Sequence, residues 1–448
     1  MSLICLALAF STSLKAQFLR TSYFMEGVGN RMKLNPALTP TRGFVDIPVI
    51  GAFNATANSN ALGTQDVFDI IDDEGDFYNN NRFYNRLKAD NRLTVGLNSD
   101  LISFGFYRGK GFWSFNVGAR VDVGAQIPRT MFDFLRGMDQ MENSWQHLDY
   151  DIRNGKLEIN AYTELGVGYA REINERLTVG GRLKVLLGMG NLNMHINRIG
   201  IQSDINGNAY DPYSWADSKA SIRVDARLES SFRGMDLVAD NGYVNDLDFN
   251  GFGIGGYGGA IDLGASYRLL DKLTLSASVL DLGFISWSKG STNVAEASTE
   301  RVYDRHNYTD FIDIVESGSV MNYDLFGLEL NDQLAKSRTT SLQSTVVVGA
   351  EYELLDDWLA FGVLSTTRFT KPETQTELTL SANMHPKSWL NVAASYSMIQ
   401  SAGKSFGLAF KLGPVFVGTD YMFLGSNSKS VNAYLGISVP LGAKSCRN

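Results

Sequence analysis

Residues 176–189 read RLTVGGRLKVLLGM, and this stretch decides the fold. Apolar residues and one glycine occupy every second position on one face: Leu177, Val179, Gly181, Leu183, Val185, Leu187 and Met189. The opposite face carries Arg176, Thr178, Gly180, Arg182 and Lys184. Strict alternation is typical of a β-strand with one apolar and one polar face. The run exceeds the roughly 5–6 residues usual for a strand of a soluble sandwich.

The same alternation recurs along the chain, at 157–167, 261–269, 377–384 and 390–398. The polar faces mix charged residues with Gly, Ser and Thr, as the interior of a membrane barrel does. The sequence therefore predicts an all-β fold, a transmembrane antiparallel β-barrel over residues 43–442. A soluble sandwich is the alternative, since its strands alternate too.

The strand count follows from the candidate segments. These are 43–54, 92–107, 112–124, 157–171, 175–190, 220–232, 260–270, 272–286, 342–354, 357–370, 376–385, 388–400, 404–412, 414–423 and 430–441. Bacterial single-chain barrels have even numbers of strands, so we expect about 14, with 16 as the alternative. The ambiguity lies at 220–258. The polar stretches at 55–90, 126–155, 198–218 and 288–340 are predicted to be extracellular loops, and the tight turns to be periplasmic.

The two ends of the chain differ from the rest. Leu3 to Phe10 form an apolar run, and small and polar residues follow as far as Ala16. We interpret residues 1–16 as a signal peptide cleaved after Ala16, with a buried N-terminal helix as the alternative. Cys446 is then the one cysteine left, and residues 443–448 form a polar tail.

Composition argues against several classes of function. The net charge is −8 and charged residues make up 20% of the chain, so no nucleic-acid partner is expected. Beyond the signal segment, no apolar stretch approaches the ~18–20 residues of a transmembrane helix. We expect the protein to cross the cell outer membrane as strands, with outer-membrane lipid as a partner.

No constellation of residues predicts an enzyme. None of the four histidines is followed two positions later by serine, as in outer-membrane phospholipases. The glycines at 251, 253 and 256 match a dinucleotide motif only by letter, because no helix pattern follows them. Acidic loops at 72–76 and 204–211 lack EF-hand spacing. We predict no catalytic residues, no metal and no cofactor.

Two other sets of residues are candidates for a functional role. Met131, Phe134, Leu135 and Met138 have the spacing of one face of a helix inside a predicted loop. Two interpretations are open: the helix offers an apolar surface to a ligand, or it packs on the rim of the barrel. Seven charged residues fall on polar faces and are predicted to line the lumen, either for selectivity or to neutralise one another. They are Glu158, Glu164, Arg182, Lys184, Asp262, Arg268 and Glu351.

The N-terminal region carries a resemblance to known barrels. Residues 31–38 read RMKLNPAL and residues 42–51 read RGFVDIPVIG. These resemble the opening of an uncharacterised family of outer-membrane barrels from Bacteroidota, and residues 261–265 and 273–284 are similar to the middle of that family. That family is in turn similar to the long-chain fatty-acid transporter (FadL-like) superfamily.

The resemblance implies several expectations. Residues 17–42 would form a hatch in the lumen, with Asn35, Pro36 and Ala37 at the hatch or first strand. The protein would be porin-like and would take up small hydrophobic compounds passively. Barrel-assembly machinery would be a partner, although the chain lacks the terminal aromatic residue that many such barrels use in assembly. The alternative function is a scaffold that anchors surface or secretion-machinery partners. A kinked strand beside a vacant apolar pocket would favour transport, and a lumen filled by ion pairs would favour the scaffold.

Overall fold

A computed structural model describes most of the chain. The described residues are 20–25, 28–48, 52–63, 65–66, 77–240, 242–251, 253–316, 327–355, 358–369, 374–387, 389–399, 403–421 and 427–442. The predicted signal peptide (1–16), the acidic stretch 72–76 and the tail (443–448) lie outside these residues.

Strands dominate the described residues. They are β1 (Gly43–Asp46), β2 (Phe53–Ser59), β3 (Asp90–Arg108), β4 (Gly111–Pro128), β5 (His147–Glu172), β6 (Leu177–Asp204), β7 (Lys219–Phe232), β8 (Met235–Asp240), β9 (Tyr243–Phe249), β10 (Gly256–Leu270), β11 (Leu273–Trp287), β12 (Thr292–Tyr303), β13 (Glu329–Leu330), β14 (Arg338–Ser341), β15 (Thr345–Leu355), β16 (Leu359–Arg368), β17 (Gln375–Lys387), β18 (Leu390–Ile399), β19 (Gly403–Leu412), β20 (Val415–Thr419) and β21 (Ser430–Leu441).

Helices are few. The α-helices are α1 (Asn81–Tyr84), α2 (Arg129–Ser144) and α3 (Tyr308–Glu316), and short 3-10 helices span Gly29–Lys33, Phe77–Asn79, Pro212–Trp215 and Lys289–Ser291. Within the described part of the chain, no helix combines the length and the apolar character needed to cross a membrane.

The strands form one closed antiparallel barrel of 14 strands, which confirms the predicted fold class and count. Neighbouring strands pair in sequence order from β3 to β6, and β6 then pairs with β10. The barrel closes where β1 and β2, acting as one wall strand, pair with both β21 and β3. β14 and β15 likewise share one position beside β11. Tight connections lie at one end of the barrel (the turn end) and long connections at the other (the loop end).

The two faces of the wall divide as the sequence predicts. On β6, the side chains of Arg182 and Lys184 are buried toward the lumen, whereas Leu183 is 66% exposed on the outer surface. Large apolar side chains project outward from strands all round the barrel, including Phe106, Val167, Val363 and Phe410. A closed wall pairs its own backbone groups, so such an outer surface is compatible with lipid.

Leu183→Arg tests the lipid-facing surface. We expect the variant to lose about 2–4 kcal/mol of folding free energy in lipid vesicles, because a guanidinium would be placed near the middle of the apolar belt. Urea titration of vesicle-embedded protein, followed by tryptophan fluorescence, measures the loss. Tyr213→Arg is the matched control, since Tyr213 is 86% exposed in a connection at the loop end. Equal stability of both variants would contradict a lipid-facing Leu183.

A second sheet extends beyond the loop end. β5 and β6 have 26 and 28 residues, and their outer halves leave the wall. There β6 pairs with β7, which pairs with β12, followed by β13, β9 and β8. One face of this sheet forms a large apolar core with α2 and α3.

The second sheet corrects part of the sequence prediction. The strand predicted at 220–232 exists as β7, but it lies outside the barrel wall. The predicted loops at 126–155, 198–218 and 288–340 contain the ends of β4, β5 and β6 and the whole of β12. Alternation reports that one strand face is buried, and it does not distinguish a lipid-facing strand from one covered by loop helices.

The first wall strand is interrupted, so the single strand predicted at 43–54 is also corrected. β1 ends at Asp46 and β2 begins at Phe53, with residues 49–51 outside the described part. Pro48 lies in the interruption and has no N–H to donate to a neighbouring strand. The partner strand β3 has a register shift opposite, between Asp100 and Ile102.

Candidate functional site

The lumen is occupied by the N-terminal segment, residues 20–25 and 28–42, which we call the hatch. Its apolar residues Tyr23, Phe24, Met25, Leu34 and Leu38 are buried against inward side chains of the wall. The segment lacks the alternation of a strand and contains two prolines, which explains why it crosses the lumen without joining the sheet. The described residues of this segment lie in the lumen, and the hatch role predicted for residues 17–42 stays a prediction.

Asn35 bonds to both the hatch and the wall. Its Nδ2 lies within hydrogen-bonding distance of the Tyr23 hydroxyl (3.2 Å) and of the carbonyl oxygens of Ala265 (3.2 Å) and Ala277 (3.3 Å). Its Oδ1 accepts a hydrogen bond from the N–H of Ala37 at 3.0 Å. The amide therefore ties the hatch to β10 and β11 and fixes the turn at Asn35-Pro36-Ala37. The structure gives these three residues their position, and their role in gating belongs to the proposal below.

Inward-facing glycines make room for the hatch. A Cβ added at Gly180 would lie 2.5 Å from the Pro36 carbonyl carbon and oxygen, and one at Gly264 would lie 2.1 Å from Asn35 Oδ1. The same holds at three other wall glycines, which would meet Tyr23, Phe24 and Thr21: Gly349, Gly362 and Gly407. Since glycine has no side chain, the hatch can lie directly on the wall backbone. The signal for this was present in the sequence as glycines on polar strand faces.

Two ion pairs anchor the hatch to the wall. Lys33 Nζ lies 2.8 Å from Asp100 Oδ1 on β3. Arg20, at the other end of the described hatch, pairs with Glu377 on β17. Sequence reasoning singled out none of these four residues, because contacts between a plug and a wall leave no periodic signal.

Four of the seven predicted lumen residues meet in one buried network beside the hatch. Lys184 Nζ lies 2.8 Å from Asp262, 2.6 Å from Asp281 and 3.8 Å from Glu164. Arg182 lies 3.9 Å from Asp262. We call this set, together with Arg120 and Asp281, the ion network.

The network balances its charges. Arg120 Nη1 lies 2.6 Å from Asp281, and its Nη2 lies 3.4 Å from Glu164. Arg120, Arg182 and Lys184 thus face Glu164, Asp262 and Asp281, three cations against three carboxylates. Each of these side chains is buried. Mutual compensation is what allows so many charges to be buried together.

A bulge completes the network. Asp281 has a φ of 57°, in the left-handed region, and β10 and β11 shift register beside it. The Asp281 N–H donates to Asp262 Oδ1 at 2.8 Å, which stabilises this backbone conformation. The extra residue turns the Asp281 carboxylate into the lumen. Sequence alternation could not reveal Asp281, because a bulge changes the face that each later residue takes.

The other three predicted lumen residues lie elsewhere. Glu158 is half-buried on the inward face of β5, six positions from Glu164 toward the loop end. Glu351 is half-buried on β15, next to the part of the wall that contacts Tyr23. Arg268 is exposed near the turn end of β10. These three residues therefore lie outside the ion network.

Contacts that span the lumen close it further. Arg368 on β16 lies 2.7 Å from Asp122 on β4, across the barrel. Nearer the loop end, Gln375 Nε2 donates to Thr94 Oγ1 at 2.8 Å. Together with the hatch and the ion network, these pairs fill the interior with polar contacts.

A narrow polar cleft of about 10 Å³ lies between the hatch and the wall beside β3 and β4. Its lining includes Lys33, Asp100, Ser103, Asn116 and Arg182. The interrupted first strand adjoins it, since Asp100 donates its N–H to the carbonyl of Ala52. The barrel thus has the kinked strand associated with transport, beside a polar cleft, and it also has the ion pairs associated with a scaffold.

The predicted loop helix exists as α2, and its apolar side packs inward. Met131, Phe134 and Leu135 are buried in the core of the second sheet, and the Met138 side chain lies outside the described part. The buried residues therefore match the packing interpretation. In the loop at 204–211, Asp211 and Asn208 accept hydrogen bonds from the N–H groups of Tyr213 and Tyr210. Among described residues, no three His, Cys, Asp or Glu side chains converge as metal ligands.

Comparisons with solved structures find distant likeness over almost the whole chain. The Pseudomonas putida toluene transporter TodX is 9% identical, with 95% of this chain and 93% of that chain covered and a TM-score of 0.37. The Ralstonia pickettii toluene transporter TbuX is 7% identical, with 96% of each chain covered and a TM-score of 0.40. A Pseudomonas aeruginosa FadL homologue is 9% identical, with 95% and 99% covered and a TM-score of 0.40. Values this low carry no argument about substrate.

Sequence comparisons bear on the family. No curated protein matches the chain. The family described as "Family of unknown function (DUF5723)" matches residues 36–420, from the hatch proline to the end of β20 and so across nearly the whole wall. The chain thus matches an uncharacterised family, while the predicted source of that family in Bacteroidota and its kinship with the FadL-like superfamily stay predictions. The chain belongs to the family of unknown function DUF5723.

Proposed function

We propose that this chain is an outer-membrane barrel for passive uptake of small hydrophobic compounds, and that the arrangement described above is its closed state. The proposal places the turn end in the periplasm and the loop end outside the cell. Outer-membrane lipid would contact the apolar outer surface, and barrel-assembly machinery would insert the chain. The second sheet would then be extracellular.

One observation carries the proposal: the lumen is filled by a segment that is not part of the wall. The hatch is joined covalently to β1 and held elsewhere by noncovalent contacts with inward glycine, serine and carboxylate groups. Such contacts can break and re-form while the wall stays paired. Movement of the hatch would connect the polar cleft with the interrupted first strand, where Ile47 and Ile102 face outward.

A reversible crosslink between hatch and wall tests the proposal. Thr21 Oγ1 and Ser395 Oγ lie 2.7 Å apart, so cysteines at both positions can approach the ~2.05 Å of a disulfide. We expect Thr21→Cys/Ser395→Cys, in a Cys446→Ser background, to lose uptake of a labelled fatty acid into liposomes when oxidised. Uptake should return on reduction.

The matched control is the Thr21→Cys single variant, which should transport equally under both conditions. Equal uptake by the oxidised and reduced double variant would rule out hatch movement as the gate. Absence of uptake from folded wild-type protein would overturn transport itself.

The scaffold function is the second candidate, and the occluded lumen is the observation in its favour. The Arg368–Asp122 pair and the ion network fill the lumen together with the hatch, and the second sheet offers a large ordered surface. Comparisons give it no support. If the folded protein shows neither uptake nor conductance, even with the hatch deleted, transport is excluded and the scaffold hypothesis remains.

A further inference from the structure

The side chain of Arg20 occupies a complete binding pocket. Its guanidinium pairs with the Glu377 carboxylate and donates to the Tyr421 hydroxyl, while its Nε donates to Thr366 Oγ1 at 2.9 Å. The Tyr421 ring centroid lies 5.9 Å from Arg20 Cζ, within range of a cation–π contact. The Tyr421 hydroxyl in turn donates to Glu377 Oε2 at 2.8 Å. A carboxylate, two hydroxyls and an aromatic ring thus surround one guanidinium.

The pocket belongs to the wall, and only its occupant belongs to the hatch. Thr366 lies on β16, Glu377 lies on β17, and Tyr421 follows β20. All three side chains are buried, as is Arg20. Thr366 and Glu377 are paired with each other across β16 and β17, and the Tyr421 N–H donates to Thr419 Oγ1 at 3.1 Å, so contacts within the wall hold the groups that recognise the guanidinium.

The chemistry of the pocket favours a guanidinium over other cations. A guanidinium is planar and presents five donors, so it can reach the carboxylate and both hydroxyls at once and also lie against the ring. An ammonium is a compact, strongly hydrated point charge that cannot span the same set of acceptors. An alkali ion has no N–H groups to donate and no planar face to lie against the ring.

Backbone contacts beside the pocket hold the same end of the hatch. The Asp420 carboxylate accepts hydrogen bonds from the N–H of Thr21 at 2.8 Å and of Arg20 at 3.2 Å. Arg20 is thus presented to the pocket by a second, neighbouring carboxylate. A compound that takes the place of the guanidinium removes the side-chain half of this anchor.

We propose that Thr366, Glu377 and Tyr421 form a guanidinium-binding site that holds Arg20 as an internal ligand and accepts arginine-like compounds in exchange. The site goes beyond uptake of hydrophobic compounds and does not depend on it. Binding of such a compound detaches the N-terminal end of the hatch from the wall.

Chemical rescue tests the site directly. Arg20→Ala vacates the pocket, and methylguanidinium is the probe. We expect the variant to melt several degrees below the wild type in detergent and to regain that loss with methylguanidinium, but not with methylammonium or K⁺ at equal ionic strength. Calorimetry should show tighter binding to Arg20→Ala than to the wild type, where the compound must first displace the Arg20 side chain.

The double variant Arg20→Ala/Glu377→Gln is the matched control. It lacks the carboxylate but keeps the volume of the pocket, so methylguanidinium should bind it about tenfold more weakly or worse. Equal binding to both variants, or equal rescue by all three cations, would overturn the proposal.

A second measurement avoids variants that fail to fold. In the reduced Thr21→Cys/Ser395→Cys protein, Arg20 is intact and the rate of disulfide formation reports how the hatch end is seated. We expect methylguanidinium to slow this rate and methylammonium to leave it unchanged. A rate insensitive to methylguanidinium would show that the pocket does not exchange its occupant. Neither result depends on whether the barrel transports anything.

Discussion

Lys184→Met is expected to lower the free energy of unfolding of the barrel by about 3–5 kcal/mol, the usual cost of removing one partner from a buried ion pair. The substitution leaves Glu164, Asp262 and Asp281 with two guanidinium groups in place of three cations. Methionine fills a similar volume, so the loss would reflect charge and not a cavity. Urea unfolding in lipid vesicles measures the loss of free energy. The folded fraction at each urea concentration is determined from gels, because the folded barrel in an unheated sample and the unfolded chain differ in mobility.

Lys184→Met/Asp262→Asn is the control for this prediction. The double variant restores neutrality, and the amide oxygen of the substituted side chain can still accept the Asp281 N–H that Asp262 accepts in the native network. We expect it to recover most of the lost stability. If Lys184→Met alone unfolds like the wild type, the network is solvated and does not seal the lumen.

Gly180→Val is expected to displace the hatch while leaving the barrel folded. The new Cβ would meet backbone atoms of Pro36 at 2.5 Å, and backbone cannot rotate aside as a side chain can. Overpacking of this kind costs roughly 1–3 kcal/mol, which moves the balance between seated and displaced hatch about 5- to 150-fold. Arg31 is buried in the seated hatch, and the side chain of Lys33 is 10% exposed. Trypsin should therefore cleave after these residues faster, in proportion to the fraction of displaced hatch.

Gly181→Val is the matched control, one residue along the same strand. Its Cβ would point to the outer surface, where the nearest atoms lie 3.5 Å and 3.6 Å away. We expect wild-type resistance to trypsin. Protection of the hatch in Gly180→Val, or equal cleavage in both variants, would show that the wall glycines do not seat the hatch.

The barrel could be predicted from the sequence because the residues of each strand alternate between apolar and polar, according to the face on which they lie. In residues 176–189, Leu183 and Lys184 are neighbours with opposite surroundings, and the structure places one outside and the other in the lumen. Four charged residues predicted to face inward do meet there, in the ion network. The Asn35-Pro36-Ala37 block was assigned to a hatch by resemblance alone, and the structure shows Asn35 in contact with β10 and β11.

Other features of the site depend on contacts distant in sequence. Arg120 and Asp281 are separated by 161 residues, and Arg20 and Thr366 by 346. No local pattern marks such pairs. The interrupted first strand was missed for a different reason, since its apolar residues on either side of Pro48 continue the alternation of a single strand. The outer halves of β5 and β6 were assigned to loops because their charged outer face resembles a solvated connection.

The sequence by itself determined that this protein is a barrel with an apolar outer face and a charged inner face, because alternation is a local property that each strand carries alone. Only the tertiary structure decided how the lumen is closed: which carboxylate meets which cation, which glycines receive the hatch, and which strands leave the wall. These depend on register and on a bulge at Asp281, and a shift of one residue changes the face of every side chain that follows. The interactions that close the lumen therefore join residues of different strands, and no local pattern in the sequence shows which residues will meet.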